Sequence, residues 1–216
     1  MDLARLIDHT LLKPDASQED IIKLCEEALA HDFAAVCIPP YWVSEAVRQL
    51  EKSKVKVATV IGFPMGYSAT AAKVEEIKRS IDEGADELDV VINICAIKSA
   101  NWNYLQNDID RTTTAVHLKG KQIKIIMETG LLTAPEISKV CEICQELEPD
   151  FVKTSTGING PGASVEVVQL LRQNLSDSIK IKASGGIRTR QDAINLVNAG
   201  AQRLGSSSGV KIITEL

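Results

Sequence analysis

The sequence predicts an α/β protein in which eight parallel strands close into a single (β/α)8, or TIM, barrel. Short apolar runs rich in β-branched residues alternate with amphipathic segments along the 216 residues, the pattern of strands joined by crossover helices. The count of eight favours a closed barrel over an open doubly wound sheet, which also fits the alternation. The predicted strands cover residues 5–9, 35–38, 56–61, 87–92, 122–127, 150–153, 178–184 and 203–205.

Capping residues mark helix boundaries between these strands. Thr133 begins a capping box with Glu136, and Thr189 precedes a similar helix start. Gly84 and Gly200 lie where a left-handed cap ends a helix, each just before a predicted strand. Since no linker or shift in composition divides the chain, we expect one catalytic domain over residues 1–216.

Composition and charge limit the possible classes of function. With 44% hydrophobic and 25% charged residues, the chain is typical of a globular protein that needs no disulfide or metal to fold. A net charge of −5 argues against a nucleic-acid or membrane-surface binder, since both need a basic face. The sequence shows neither a signal peptide nor an apolar run near the ~18 residues of a membrane span. We therefore expect a cytoplasmic protein.

The five cysteines are scattered, as is typical of reduced thiols rather than a disulfide framework. Cys141 and Cys144 form a C-x-x-C pair, which we interpret as two thiols on one helix rather than a redox or zinc site. The histidines His9, His31 and His117 are not spaced as metal ligands, and no dinucleotide-binding glycine motif follows the first strand. We expect no metal or organic cofactor, with His9 near the barrel mouth and the other two histidines on helices.

Lysines interrupt strands that should be continuous apolar runs if they are buried in a parallel barrel. Lys153 ends the sixth strand, and Lys180 and Lys182 share one face of the seventh because strand side chains alternate. Barrel enzymes place their chemistry at the carboxyl ends of the strands, so we choose Lys182, although alternation alone does not separate it from Lys180. Lys124 is interpreted as a solvated residue at the start of the fifth strand.

If two ammonium groups lie close together at the desolvated mouth of the barrel, burial and the like charge of the neighbour both favour the neutral amine. A neutral lysine is a nucleophile that forms a Schiff base with a carbonyl. Lys153 and Lys182 therefore predict class I aldolase chemistry, although both could instead extend into solvent. Asp89, in the middle of the apolar fourth strand, is predicted to carry protons beside them or to form a structural salt bridge. Asp8 is a weaker candidate of the same kind.

Glycine-rich loops follow the seventh and eighth strands, where barrels commonly bind phosphate. Gly185 and Gly186 lie in one loop, and Gly205 and Ser206 lie in the other. Glycine lets backbone N–H groups approach an anion, and the Ser206 hydroxyl offers a further donor. Gly157, after the sixth strand, would close the third side of the same anion pocket.

Seven blocks carry a resemblance to a known family: LIDHTLLKP from residue 6, VCIPP from 36, VIGFPMG from 60, GADELDVVINI from 84, VKTSTG from 152, KASGGIRT from 182 and GSSSGV from 205. In this order, they resemble the deoxyribose-phosphate aldolase family over nearly the whole chain. The resemblance implies a TIM barrel that reversibly cleaves 2-deoxy-D-ribose 5-phosphate to D-glyceraldehyde 3-phosphate and acetaldehyde in deoxyribonucleoside catabolism. It also implies a homo-oligomer, either a dimer or a tetramer.

The resemblance assigns roles to residues that match the family blocks. Lys153 is the implied Schiff-base lysine, Lys182 the lysine that lowers the pKa of the first, and Asp89 the acid that relays protons. Ile158 departs from members that carry a lysine near the phosphate. The implied pocket and phosphate-cradle positions are Asp8, Cys37, Gly157, Gly185, Gly186, Gly205 and Ser206.

Two alternatives remain open at the level of sequence. One is another Schiff-base aldolase or a phosphosugar isomerase on the same barrel. The other is a phosphometabolite binder that keeps the loops without catalysis.

Overall fold

The computed structural model describes residues 2–215, and its eight strands form a closed parallel barrel in chain order. Strand β8 closes the sheet by pairing with β1, where Asp8 lies opposite Gly205. This pairing confirms the predicted barrel and excludes the open doubly wound sheet. The strands are β1 Ile7–Thr10, β2 Ala35–Ile38, β3 Lys56–Ile61, β4 Glu87–Val91, β5 Gln122–Ile126, β6 Phe151–Lys153, β7 Lys180–Ser184 and β8 Arg203–Ser206.

Helices surround the barrel and follow the strands in alternation. The predicted caps are present: Thr133 and Thr189 each accept a hydrogen bond from the backbone N–H three residues later. Gly84 and Gly200 have positive φ angles of 108° and 117°, as the predicted left-handed turns require. The helices are α1 Gln18–His31, α2 Val43–Gln49, α3 Thr70–Asp82, α4 Ile94–Lys98, α5 Trp102–His117, α6 Ala134–Leu147, α7 Val165–Asn174, α8 Arg190–Asn198 and α9 Gly209–Thr214.

Three strands begin later than the apolar pattern indicates, β6 by one residue and β1 and β7 by two. A short 3-10 helix, Ala4–Leu6, precedes β1, with the Leu6 N–H bonded to the Leu3 carbonyl. Before β7, a turn joins the Ile179 N–H to the Ser176 carbonyl, so pairing starts at Lys180. At these positions the backbone N–H groups form hydrogen bonds within local turns, so they are not available for pairing with the neighbouring strand.

The large apolar core lies between the barrel and its helices, and includes Ile7, Leu88 and Val152. Inside the barrel, a much smaller apolar cluster occupies the β2 and β3 side, formed by Ala35, Cys37, Ala58 and Val60. The rest of the interior carries charged side chains, which explains why charges interrupt several predicted strands. Within the described range, no helix is long and apolar enough to cross a membrane.

Candidate active site

A network of ion pairs fills the charged side of the barrel interior. Its members come from strands β1 and β4 to β8, and most project inward because strand residues two apart share a face. Each makes at least one contact of 2.9 Å or less to an opposite charge. The network consists of the carboxylates Asp8, Glu87 and Asp89 and the cations Lys124, Lys153, Lys182 and Arg203.

Asp89 is the centre of this network. Its Oδ2 accepts hydrogen bonds from Lys153 Nζ at 2.8 Å and Lys182 Nζ at 2.7 Å, while Oδ1 accepts one from Lys124 Nζ at 2.7 Å. Burial alone would raise the pKa of the Asp89 carboxyl. The three ammonium groups outweigh burial and hold that pKa well below its usual range. Asp89 is therefore a carboxylate at neutral pH.

Lys182 is held as a cation between two carboxylates. Its Nζ lies 2.5 Å from Asp8 Oδ2 as well as 2.7 Å from Asp89 Oδ2. Burial acts to lower the pKa of Lys182, but the two carboxylates raise it above its usual value. The expectation that burial and like charge would lower the pKa of both lysines is therefore wrong for Lys182, because it did not include Asp8.

Lys124 corrects a second expectation. It is fully buried rather than solvated, with its Nζ 2.6 Å from Glu87 Oε2 and 2.7 Å from Asp89 Oδ1. Burial acts to lower the pKa of Lys124, and Asp89 and Glu87 together raise it. Lys180, by contrast, is exposed at the start of β7, with its Nζ 5.4 Å from the Phe151 ring centroid.

Lys153 differs from the other interior cations in two ways. Its Nζ has one carboxylate partner, Asp89, which it shares with Lys124 and Lys182. It is 2% exposed, and it is the member of the network that lines a cavity at the carboxyl end of the barrel. The network as a whole sets four basic side chains against three carboxylates.

The cavity has a volume of about 380 Å³ and opens above Lys153. It brings together all five predicted phosphate-loop residues, and Thr10 and Leu12 line it from the side of β1. Two exposed cations, Lys13 and Arg188, also line it. The lining residues from the phosphate loops are Gly157, Gly185, Gly186, Gly205 and Ser206.

The Ser206 hydroxyl is hydrogen-bonded within the protein. It donates to the Ile187 carbonyl at 2.7 Å and accepts from the Ser208 N–H at 3.0 Å. These bonds shape the loop at the edge of the cavity, which Ser206 also lines. Gly157, Gly185 and Gly186 have positive φ angles of 79° to 86°, so these loop conformations favour glycine.

Asp8 and Cys37 lie beneath the cavity rather than in its lining, and both are fully buried. Cys37 Sγ is 4.0 Å from Asp89 Oδ2, and burial raises the pKa of this thiol. His9 does not reach the mouth: its Nε2 lies 2.7 Å from Glu27 Oε2 on α1, and its ring packs against Phe33. It alternates with Asp8 on β1 and so faces the helices.

Glu87 and Arg203 form the lower part of the network, and neither was predicted from the sequence as a site residue. Arg203 Nη1 lies 2.6 Å from Asp8 Oδ1 and 2.9 Å from Glu87 Oε2. Both residues begin strands, where a charge ordinarily reaches solvent, and the available signal was their inward alternation with Asp89 and Gly205. No group of three His, Cys, Asp or Glu side chains among residues 2–215 is arranged to hold a metal ion.

Comparison with known proteins places this site in a family. A model of the family described as DeoC/LacD family aldolase matches residues 3–215. A deoxyribose-phosphate aldolase from Desulfitobacterium hafniense is 52% identical over 214 residues, covering 99% of this chain and 98% of the relative. One from Thermococcus gammatolerans is 49% identical over 215 residues, covering 99% of this chain and 96% of the relative.

A solved structure shows the same fold. It is described as a unique tetrameric structure of deoxyribose phosphate aldolase from Aeropyrum pernix. Its TM-score is 0.91 at 33% identity, and the match covers 98% of this chain and 89% of that one. Lys153, at the floor of the cavity, thus lies in a chain that belongs to the DeoC/LacD family of aldolases.

Proposed function

We propose that this chain is a class I aldolase that reversibly cleaves 2-deoxy-D-ribose 5-phosphate to D-glyceraldehyde 3-phosphate and acetaldehyde, in deoxyribonucleoside catabolism. The observation that carries the proposal is the position of Lys153 at the cavity floor, sharing Asp89 Oδ2 with Lys182. Relatives about half identical over nearly the whole chain are named for this reaction.

Lys153 is the proposed nucleophile because of the charge balance of the network. Arg203 is a fixed cation, because arginine side chains stay protonated in proteins. Lys124 and Lys182 each contact two carboxylates within 2.7 Å. Lys153 is the remaining ammonium, and losing its proton leaves three cations facing three carboxylates. A neutral amine at the cavity floor can attack an aldehyde, which a protonated amine cannot.

The reaction uses Lys153 as nucleophile and the buried pair Lys182 and Asp89 as the proton relay. Lys153 adds to C1 of the open-chain sugar, and the carbinolamine loses its hydroxyl as water with a proton that Lys182 supplies through a water molecule. The same route carries the proton of the C3 hydroxyl back to Lys182, the C2–C3 bond breaks, and its electrons move into the iminium to form an enamine. Glyceraldehyde 3-phosphate leaves as the C3–O bond of the sugar becomes the aldehyde carbonyl of the product.

The second half regenerates the enzyme. Lys182 returns the proton to C2 of the enamine, and the resulting iminium adds water, whose released proton goes back to Lys182. The carbinolamine collapses to acetaldehyde and neutral Lys153, so protons and electrons balance over the cycle. Asp89 holds both nitrogens through Oδ2 and is the proposed proton carrier between them.

The glycine-lined end of the cavity fits the substrate phosphate. Gly157, Gly185 and Gly186 leave room for an anion to approach the backbone, and Lys13 and Arg188 add positive charge at the rim. Contacts to this remote group orient the reacting carbons over Lys153. The roles proposed for Asp8 and Cys37 are indirect: Asp8 holds Lys182, and Cys37 packs beneath the cavity, 4.0 Å from Asp89 Oδ2.

Activity of a lysine variant separates this proposal from a non-catalytic phosphometabolite binder. Acetaldehyde release from 2-deoxy-D-ribose 5-phosphate should be abolished in Lys153→Leu, which keeps the interior charges balanced and should fold. Lys180→Leu, a lysine change at the exposed start of the neighbouring strand, is the matched control and should retain activity. Cleavage that survives Lys153→Leu, or wild-type protein that binds the sugar phosphate without cleaving it, would contradict the proposal.

We propose further that the catalytic unit is one domain over residues 1–216, acting as a cytoplasmic dimer or tetramer without cofactor. The tetrameric description of the Aeropyrum pernix relative supports an oligomer, and five free cysteines support a reducing compartment. Light scattering during size-exclusion chromatography tests the oligomer, and a monomer at micromolar concentration would contradict it.

A further inference from the structure

Glu128 is a buried carboxylate that the proposed reaction does not use. It lies two residues after the end of β5, is 1% exposed and has a left-handed backbone with φ 53°. No lysine, arginine or histidine nitrogen of the described residues lies within 4.0 Å of its carboxylate. A buried anion without a cationic partner is costly, so its hydrogen bonds must account for its presence.

Those hydrogen bonds all go to the loop between β6 and α7. Glu128 Oε1 accepts from the Thr156 N–H at 3.1 Å, and Oε2 accepts from the Thr156 hydroxyl and from Asn159 Nδ2 at 3.4 Å. Thr156 Oγ1 in turn accepts from the Ile158 N–H at 3.1 Å. One carboxylate thus accepts from three donors of the loop, two of Thr156 and one of Asn159.

The same loop forms one wall of the cavity. Thr156, Gly157 and Ile158 line it, whereas Glu128 lies behind them and does not. Beyond these residues, the Ala163 N–H donates to the Ser184 carbonyl at 3.0 Å, which holds the far end of the loop against β7. Glu128 therefore sets the near end of a loop whose other end is already fixed.

We propose that Glu128 is a positioning residue that sets the phosphate end of the cavity by holding Thr156, and so determines the preference for phosphorylated substrate. This inference rests on the proposed function, because it names what the loop recognises. Direct contact between Glu128 and a phosphate is unfavourable, since both are anions. Its effect is transmitted through the backbone at Thr156 and Gly157.

The test compares 2-deoxy-D-ribose 5-phosphate with unphosphorylated 2-deoxy-D-ribose in Glu128→Gln. We expect KM for the phosphate ester to rise about tenfold, since a hydrogen bond to a charged acceptor is lost, with kcat little changed. The kcat/KM for unphosphorylated sugar should stay the same. Competitive inhibition by inorganic phosphate should weaken by the same factor, and Asn159→Ala should cause a smaller change in the same direction.

Glu76→Gln is the matched control. Glu76 is half-buried and accepts a hydrogen bond from the Gly62 N–H at 2.8 Å in another loop, away from the cavity lining. It should leave the preference for phosphate unchanged. An equal loss for both sugars in Glu128→Gln would overturn the inference and indicate a structural role alone. If the wild-type protein cleaves neither sugar, the proposed function fails. The inference is tested separately by calorimetry, where an unchanged affinity for inorganic phosphate in Glu128→Gln or Asn159→Ala would overturn it.

Discussion

Replacing Lys182 by methionine tests the charge balance proposed for the interior network. The two Nζ atoms lie 2.8 and 2.7 Å from the same Asp89 oxygen, so they are at most about 5.5 Å apart. At an effective dielectric constant of about 20, the repulsion between the two ammonium groups is about 3 kcal/mol, equivalent to about two pH units. Without Lys182, the interior holds three cations and three carboxylates, so imine formation should require a higher pH.

The assay is the initial rate of imine formation with acetaldehyde, trapped by borohydride and measured from pH 5 to 10. In Lys182→Met the acidic limb should move to higher pH by about two units, and the maximal rate should fall by roughly 10²–10⁴ because the proton relay is lost. Lys182→Arg keeps the positive charge and removes the relay, so its rate should fall while the limb stays in place. An unchanged limb in Lys182→Met, or a shift to lower pH, would refute this reasoning.

Three further predictions concern stability and reactivity. The pKa of Asp89 is depressed by folding, so its stabilising contribution is present above about pH 4 and is lost as pH falls further. Asp89→Asn should therefore lower the free energy of unfolding at pH 7 by about 3–5 kcal/mol, measured in urea, and a loss under 1 kcal/mol would contradict the network. Thr133→Ala removes the α6 cap and should cost about 1 kcal/mol in the same assay, with no change in activity. Exposed Cys95 should react with a thiol reagent in the native protein, while buried Cys144, whose pKa burial raises, should react only after unfolding; equal rates would refute this difference.

The sequence predicts the barrel and its central chemistry well because both depend on short-range patterns. Eight alternating units and the caps at Thr133 and Thr189 are local signals, and the structure confirms them. Lys153, Lys182 and Asp89 stand out because each is a charge in a strand that must be buried on both faces. The structure brings these three together at one carboxylate oxygen.

Local patterns do not encode strand register or the partners of a buried charge, and the wrong predictions for Lys124 and for the pKa of Lys182 both come from this. Lys124 and Lys180 both come near the start of a strand, yet Lys124 lies opposite Asp89 in the barrel register while Lys180 lies opposite Phe151. The raised pKa of Lys182 depends on Asp8, which is 174 residues away along the chain. Such pairings form only when the sheet closes, so no window of sequence contains them.

Identifying the lysine that forms the imine tests the proposed role of Lys153 most directly. The wild-type protein is incubated with acetaldehyde at neutral pH, reduced with borohydride, digested and analysed by peptide mass spectrometry. We expect one ethylated residue, Lys153, with Lys124 and Lys182 unmodified because both are held as buried cations. Ethylation of Lys182 in place of Lys153, or of surface lysines alone, would contradict it.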